Sequence, residues 1–215
     1  MGTIRAVLFL WIVCSTWLCT PVAAANPAAA TPRHVLLISS YHPGFPTFFQ
    51  QINGIKSVFA AKGILLDVEF MDKKRFADAE SEANFLTLLS HKLSLTKPYD
   101  AVMTADDDAL LFLLKHKAHL FPTQPAVFFG VNNIAKAKEQ NTRPDITGVI
   151  EAVSMQETIT LMRELLPGTT TILALVDTTP SSLGDLATFH ALAPPFPDLR
   201  FAEQSLSDHS FAEFA

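Results

Sequence analysis

A short apolar run followed by a longer segment with three-to-four residue apolar spacing recurs along this chain from His34 to its end. That alternation constrains the fold more than any other feature. Val35-Leu36-Leu37-Ile38 is continuous rather than alternating, which suits a strand buried on both faces. Phe48, Ile52, Ile55 and Phe59 then repeat at helical spacing between Thr47, a candidate N-cap, and Gly63, a candidate C-terminal glycine. The same pair of patterns predicts strands at 64–70, 99–104, 126–129, 146–150, 171–176 and 199–206. Helices are expected at 77–95, 105–120, 154–165 and 181–192, with a shorter polar one after Asn133 and another beginning at Ser207. Strands alternating with helices of this length form parallel sheets covered on both faces, so the fold class is α/β.

Residues 1–25 read as a secretory signal peptide. Arg5 gives the positive start, Ala6–Cys19 the apolar segment, and Ala23-Ala24-Ala25 the small residues for cleavage. The apolar segment falls short of the roughly 20 residues that span a bilayer, although an uncleaved anchor remains the alternative. Residues 26–33 form an Ala/Pro lead-in. Both cysteines, Cys14 and Cys19, lie in the leader, so its removal excludes a disulfide scaffold, a thiolate metal site and a cysteine nucleophile. The expected location is periplasmic or extracytoplasmic. With 16 basic and 21 acidic residues the net charge is -5, and no basic stripe is visible, so no nucleic-acid partner is expected.

Polar residues cluster where strands should end: Ser39-Ser40-Tyr41-His42, Asp106-Asp107-Asp108, Asn132-Asn133 and Asp177-Thr178-Thr179. Open α/β sheets bind ligands outside the carboxyl ends of their strands, so these groups should meet on one rim. Each has a structural alternative. The aspartates can cap a helix starting near Ala109, but three adjacent acids cannot all cap it. The asparagines suit turns as well as ligand amides or hydroxyls. Ser40 and His42 with an Asp also allow a secreted α/β hydrolase, but the Gly-x-Ser-x-Gly elbow is missing. No His-Glu-x-x-His pattern occurs, and the 8 glycines do not cluster into a phosphate loop, so neither a metal nor a cofactor is expected. His116 and His119 have metal-compatible spacing but read as helix-surface residues.

Several segments resemble a known family. Val35 to Pro46 is similar to the opening of periplasmic ligand-binding domains of the ABC transporter substrate-binding proteins. Relatives of these also form the extracytoplasmic N-terminus of sensor histidine kinases and diguanylate cyclases. Glu69–Asp72 with Lys74-Arg75, Asp106–Leu110, Leu120–Pro122, Val127–Asn133 and Gly148–Glu151 continue the likeness in order, from residue 34 to about 190. The resemblance implies a type 1 periplasmic-binding-protein fold, with a first lobe at 34–147 and a second at 148–215, hinged near 145–150. Because a complete two-lobe domain of this family is longer than 215 residues, the second lobe is expected to be incomplete.

By the same resemblance, Ser40, Tyr41, His42, Asp106, Asp107, Asn132 and Asn133 would face a ligand from the first lobe. Glu151 and Asp177 would face it from the second. Tyr41, Phe45 and Phe129 would supply apolar contact. The implied function is non-enzymatic capture of a small polar ligand, such as an amino acid or related metabolite. The partner would be a membrane permease or a C-terminal signalling module not present in these 215 residues. The remaining alternative is a truncated lobe without function.

Overall fold

The computed structural model describes residues 31–206. The expected leader, the lead-in up to residue 30 and the helix expected from Ser207 lie outside the described residues. In chain order the elements are β1 (His34–Ser39), α1 (Phe48–Ala60), β2 (Leu65–Phe70), α2 (Ala79–Leu95), β3 (Ala101–Ala105), α3 (Asp106–Leu120) and β4 (Ala126–Val131). These are followed by α4 (Ile134–Glu139), a 3-10 turn (Gln140–Thr142), β5 (Ile146–Ile150), α5 (Met155–Leu165), β6 (Thr171–Val176), α6 (Pro180–Ala191) and β7 (Arg200–Ser205).

The first sheet is parallel throughout, in the order β2-β1-β3-β4-β5. Strand order reverses between β1 and β3, which makes that gap the switch point where a crevice opens at the carboxyl ends. The register decides what emerges there. Ser39 pairs with Ala105, so Ser40 and Asp106 leave the sheet side by side. Val131 pairs with Ile150, so Asn132 and Glu151 do the same.

Burial on both faces explains the continuous apolar strands. Leu36, Ile38, Val102 and Phe128 pack with Leu110, Phe112 and Leu113 of α3, with Phe85 of α2 against them. On the opposite face Leu37 and Ala105 pack with Ile52, Phe48 and Ile55 of α1. The second sheet pairs β6 with β7 in parallel and has two strands among the described residues. Its core is Ile159, Phe196 and Leu199, with Ile172 and Phe201 against them. Leu173 and Leu175, on the other face of β6, are exposed.

Three local expectations differ from the structure. Thr47 occupies the N-cap position of α1, but with helical backbone angles and no capping hydrogen bond from its side chain. The helix expected at 105–120 is α3, but the three aspartates form its first turn instead of preceding a start near Ala109, as the capping alternative assumed. The 147/148 boundary and the hinge at 145–150 are also displaced. β5 stays bonded to β4 through Ile150, so residues 146–150 belong to the first sheet and the chain crosses to the second lobe over residues 151–154.

Candidate functional site

α3 starts directly off β3 with Ala105 in its N-cap position, and alanine has no side chain to cap with. Ser40, the residue after β1, supplies the missing group. Its hydroxyl donates to the Ala105 carbonyl at 2.7 Å and accepts from the Ala109 N–H at 2.8 Å. Its own N–H donates to the same carbonyl at 3.1 Å. Ser40 is 0% exposed, so the expectation that it faces a ligand is corrected: the hydroxyl is used inside the fold to position α3. The hydrolase reading fails on the same observation, and His42 has its Nδ1 occupied by the Gly44 N–H at 3.0 Å.

The three aspartates that open α3 lie at the positive end of its dipole but differ in their partners. Asp107 is the most engaged. Its carboxylate accepts from the backbone N–H groups of Asn132 at 3.1 Å and Asn133 at 3.0 Å, and from the Ser181 hydroxyl at 2.9 Å. Asp106 is buried, at 7% exposed, yet no hydrogen bond to its carboxylate occurs among the described residues. Its backbone is left-handed, with φ 70°. It lies against Gly130, where an added Cβ would come within 2.9 Å of Asp106 Oδ1. Burial, then the charges of Glu151, Asp107 and Asp108, push the Asp106 carboxyl up to about 7, opposed by Lys74. Burial also raises Asp108, opposed mainly by Lys73.

Tyr41 joins the two lobes. Its ring packs on Phe45 with centroids 4.3 Å apart, and Lys74 Nζ lies 5.2 Å from its centroid. Its hydroxyl meets Ser181 Oγ at 3.0 Å. Burial raises the phenol above its ordinary value, with the Ser181 hydrogen bond opposing, so Tyr41 keeps its proton. Ser181 gives its one hydroxyl proton to Asp107, so the chain of donation runs from Tyr41 to Ser181 to Asp107.

α6 forms the second-lobe side of this seam. Thr179 caps it by accepting from the Ser182 N–H, and Pro180 occupies its first turn. Asn132 Nδ2 donates to Asp185 Oδ1 at 3.2 Å, and burial raises the Asp185 carboxyl. Gly184 permits the close approach, since a Cβ there would lie 2.8 Å from the Asn133 nitrogen. Asn133 itself caps α4, accepting from the Lys136 N–H at 3.0 Å. Asp177 accepts from the Thr179 N–H at 2.8 Å. Burial pushes Asp177 up, but the Thr179 bonds and Lys74 outweigh it and leave the carboxyl below its usual range. Glu151 follows β5 on the rim, is exposed, and is the strongest single charge acting on Asp106.

Tyr41, Asp106, Asp107, Asn132 and Glu151 therefore share one rim, and the N-terminal half of α6 reaches it through Ser181 and Asp185. Ser181, Asp185 and Lys74 were not among the expected site residues. The available signal was the run of polar residues opening a helix just after a strand end. No group of three His, Cys, Asp or Glu residues is placed to hold a metal among the described residues. No described helix is long and apolar enough to cross a membrane.

No family model and no curated protein matches the chain. Solved structures do. The ABC domain in complex with L-Trp from Streptococcus pneumonia matches with a TM-score of 0.60 and 17% identity, covering 82% of this chain and 58% of that one. A conserved domain protein from Vibrio cholerae gives 0.59 at 13% identity, covering 81% and 57%. The ligand-free, open structure of a substrate binding protein with adhesive properties from Clostridium difficile gives 0.54 at 14% identity, again covering 81% and 57%. The chain has the type 1 periplasmic-binding fold and spans 57–58% of the length of these three chains.

Proposed function

We propose that this chain captures a small polar molecule between its two lobes, without catalysis, on the extracytoplasmic side of a membrane. The observation that carries this reading is the shared rim. Side chains at the carboxyl ends of β1, β3, β4 and β5 lie together at the switch point, and the first turn of α6 in the second lobe reaches the same groups. A crevice bounded by two lobes that meet through a few polar contacts is suited to closing on a ligand. Ligand contacts made only in the closed state shift an equilibrium already present.

In this reading Tyr41, His42, Asp106, Asn132, Glu151 and Asp177 line the ligand side, while Asp107 and Asn133 hold the seam. The solved structures of the same fold support it, among them a substrate binding protein and a domain bound to L-Trp. An amino acid or a related metabolite is the favoured ligand class. Residues 1–25 act as the export signal. The partner is a membrane permease of the ABC type or a signalling module carried on a longer chain, with the sensory role favoured.

A thermal-shift screen against amino acids, sugars, nucleosides and purine bases tests the proposal. A binder at 100 times its Kd should add about 2.7 kcal/mol of stability. The gain should be lost in Asn132→Ala. A cooperative melt that no compound moves would count against ligand capture by this chain, and the absence of a cooperative melt would favour a non-functional lobe.

A further inference from the structure

We propose that residues 207–215 dock as a short amphipathic helix on the open face of the β6–β7 sheet, seating Phe211 and Phe214 over Leu175 and Leu173. This docking completes the second lobe and does not depend on whether a ligand is captured.

The two faces of that sheet differ. Ile172 and Phe201, which pair across the strands, pack with Ile159 of α5, and the Phe201 ring lies 4.9 Å from that of Phe189 in α6. Side chains alternate along a strand, so Leu173 and Leu175 point the other way, together with their neighbours Ala202 and Gln204. Leu173 is 52% exposed and Leu175 54%. Parallel strands are ordinarily covered on both faces, as those at the centre of the first sheet are. The leucine face of β6 is therefore the one that calls for a cover.

The first lobe shows how the same unit is completed. In β1-α1-β2, Ile52 of α1 packs with Leu37 on one face, while Leu89 of α2, the helix that follows β2, shares a core with Leu36 and Ile38 on the other. β6-α6-β7 repeats the unit, with parallel strands joined by a helix that lies on the Phe201 face. A helix following β7 accordingly falls on the leucine face. Residues 207–215, Ser-Asp-His-Ser-Phe-Ala-Glu-Phe-Ala, have the pattern for it. Ser207 is of the residue type that caps a helix and Asp208 suits a first turn. At helical spacing Phe211, Phe214 and Ala215 share one side, and His209 and Glu213 lie on the opposite one. The dimensions also match. A helix returning along β7 rises about 6 Å from Ser207 to Phe211 and about 4.5 Å more to Phe214. Leu175 lies opposite Gln204, close to the end of β7, and Leu173 is about 7 Å further back along the strand. So short a helix is marginal by itself in water, and burying its two phenylalanines is what would hold it.

Thiol chemistry tests this in the full chain carrying Cys14→Ser and Cys19→Ser, which leaves no native thiol. Leu175→Cys should react with a water-soluble disulfide reagent at least about tenfold more slowly than in the same protein carrying Phe211→Ser and Phe214→Ser. Leu165→Cys, on the exposed end of α5, should react alike in both. Equal rates at Leu175→Cys overturn the docking. Protection that grows with protein concentration means that a second copy covers the face, and overturns it as well. Should the double serine variant fail to fold, mild oxidation of cysteine pairs decides without it. Leu173→Cys with Phe214→Cys should close an intrachain disulfide, and Leu173→Cys with His209→Cys should not. Failure of the first pair, or equal closure of both, overturns the assignment.

Discussion

Ser40→Ala should destabilise the fold by about 2 kcal/mol, even though Ser40 lies within the polar cluster that points to a ligand site. The substitution removes one oxygen that does two jobs. The Ala105 carbonyl keeps a donor, because the Ser40 N–H still reaches it at 3.1 Å. The Ala109 N–H has only Ser40 Oγ at 2.8 Å as its tertiary acceptor at the helix start, and no water replaces it at a position that is 0% exposed. Orphaning a buried donor costs about 1–3 kcal/mol, and loss of an N-cap costs about 0.5–2 kcal/mol. These describe the same bond, so they bracket one effect and do not add. Urea unfolding followed by far-UV circular dichroism measures it. With a slope of about 1–3 kcal/mol per molar, the midpoint should fall by roughly 1 M and the slope should hold. A loss under about 0.5 kcal/mol, the range of an exposed surface change, would refute the capping argument and return Ser40 to the ligand side.

Three further outcomes are expected. Between pH 4 and 7 the folded state holds a proton on Asp106 that the unfolded chain has released, so this group lowers stability as pH rises through that window, by up to on the order of 4 kcal/mol. Asp106→Asn should remove that slope from a plot of unfolding free energy against pH, and equal slopes in both proteins would contradict the assignment. Gly184→Ala places a Cβ 2.8 Å from the Asn133 nitrogen and 2.9 Å from its Cα, both backbone atoms that cannot swing aside. It should cost about 1–3 kcal/mol and speed hydrogen exchange at the Asn132 and Asn133 amides, whereas unchanged exchange would mean that the lobes do not touch there. Tyr41→Phe keeps the Phe45 contact and removes only the Ser181 bond, so unfolding should register a loss of about 1 kcal/mol. A neutral result would place that hydroxyl in water.

The strands were legible because burial on both faces leaves a continuous apolar run: Ile146–Ile150 and Thr171–Val176 have the bounds read from sequence. The rim was legible because register and strand order, once the sheet is parallel, dictate what emerges beside what. Roles within the rim were not. Ser39 and Ser40 are adjacent, chemically alike and both buried, yet only Ser40 meets the start of α3. Ser181 meets Asp107 across 74 positions of sequence, a separation over which no local pattern carries information. Lys74 entered only through the family likeness, and the fold is what places it over Tyr41. The 147/148 lobe boundary came from the family resemblance and not from the strand pattern, which reads 146–150 as one strand; within that strand Gly148 leaves room for the Phe128 ring, which a Cβ would approach within 2.4 Å.

The most direct test of ligand capture between the lobes is hydrogen exchange by mass spectrometry on the chain with and without the strongest binder from the screen. The account predicts joint protection of segments 40–46, 106–110 and 130–134 in the first lobe and 177–185 in the second, with little change elsewhere. Protection confined to one lobe, or lying outside these segments, would contradict it.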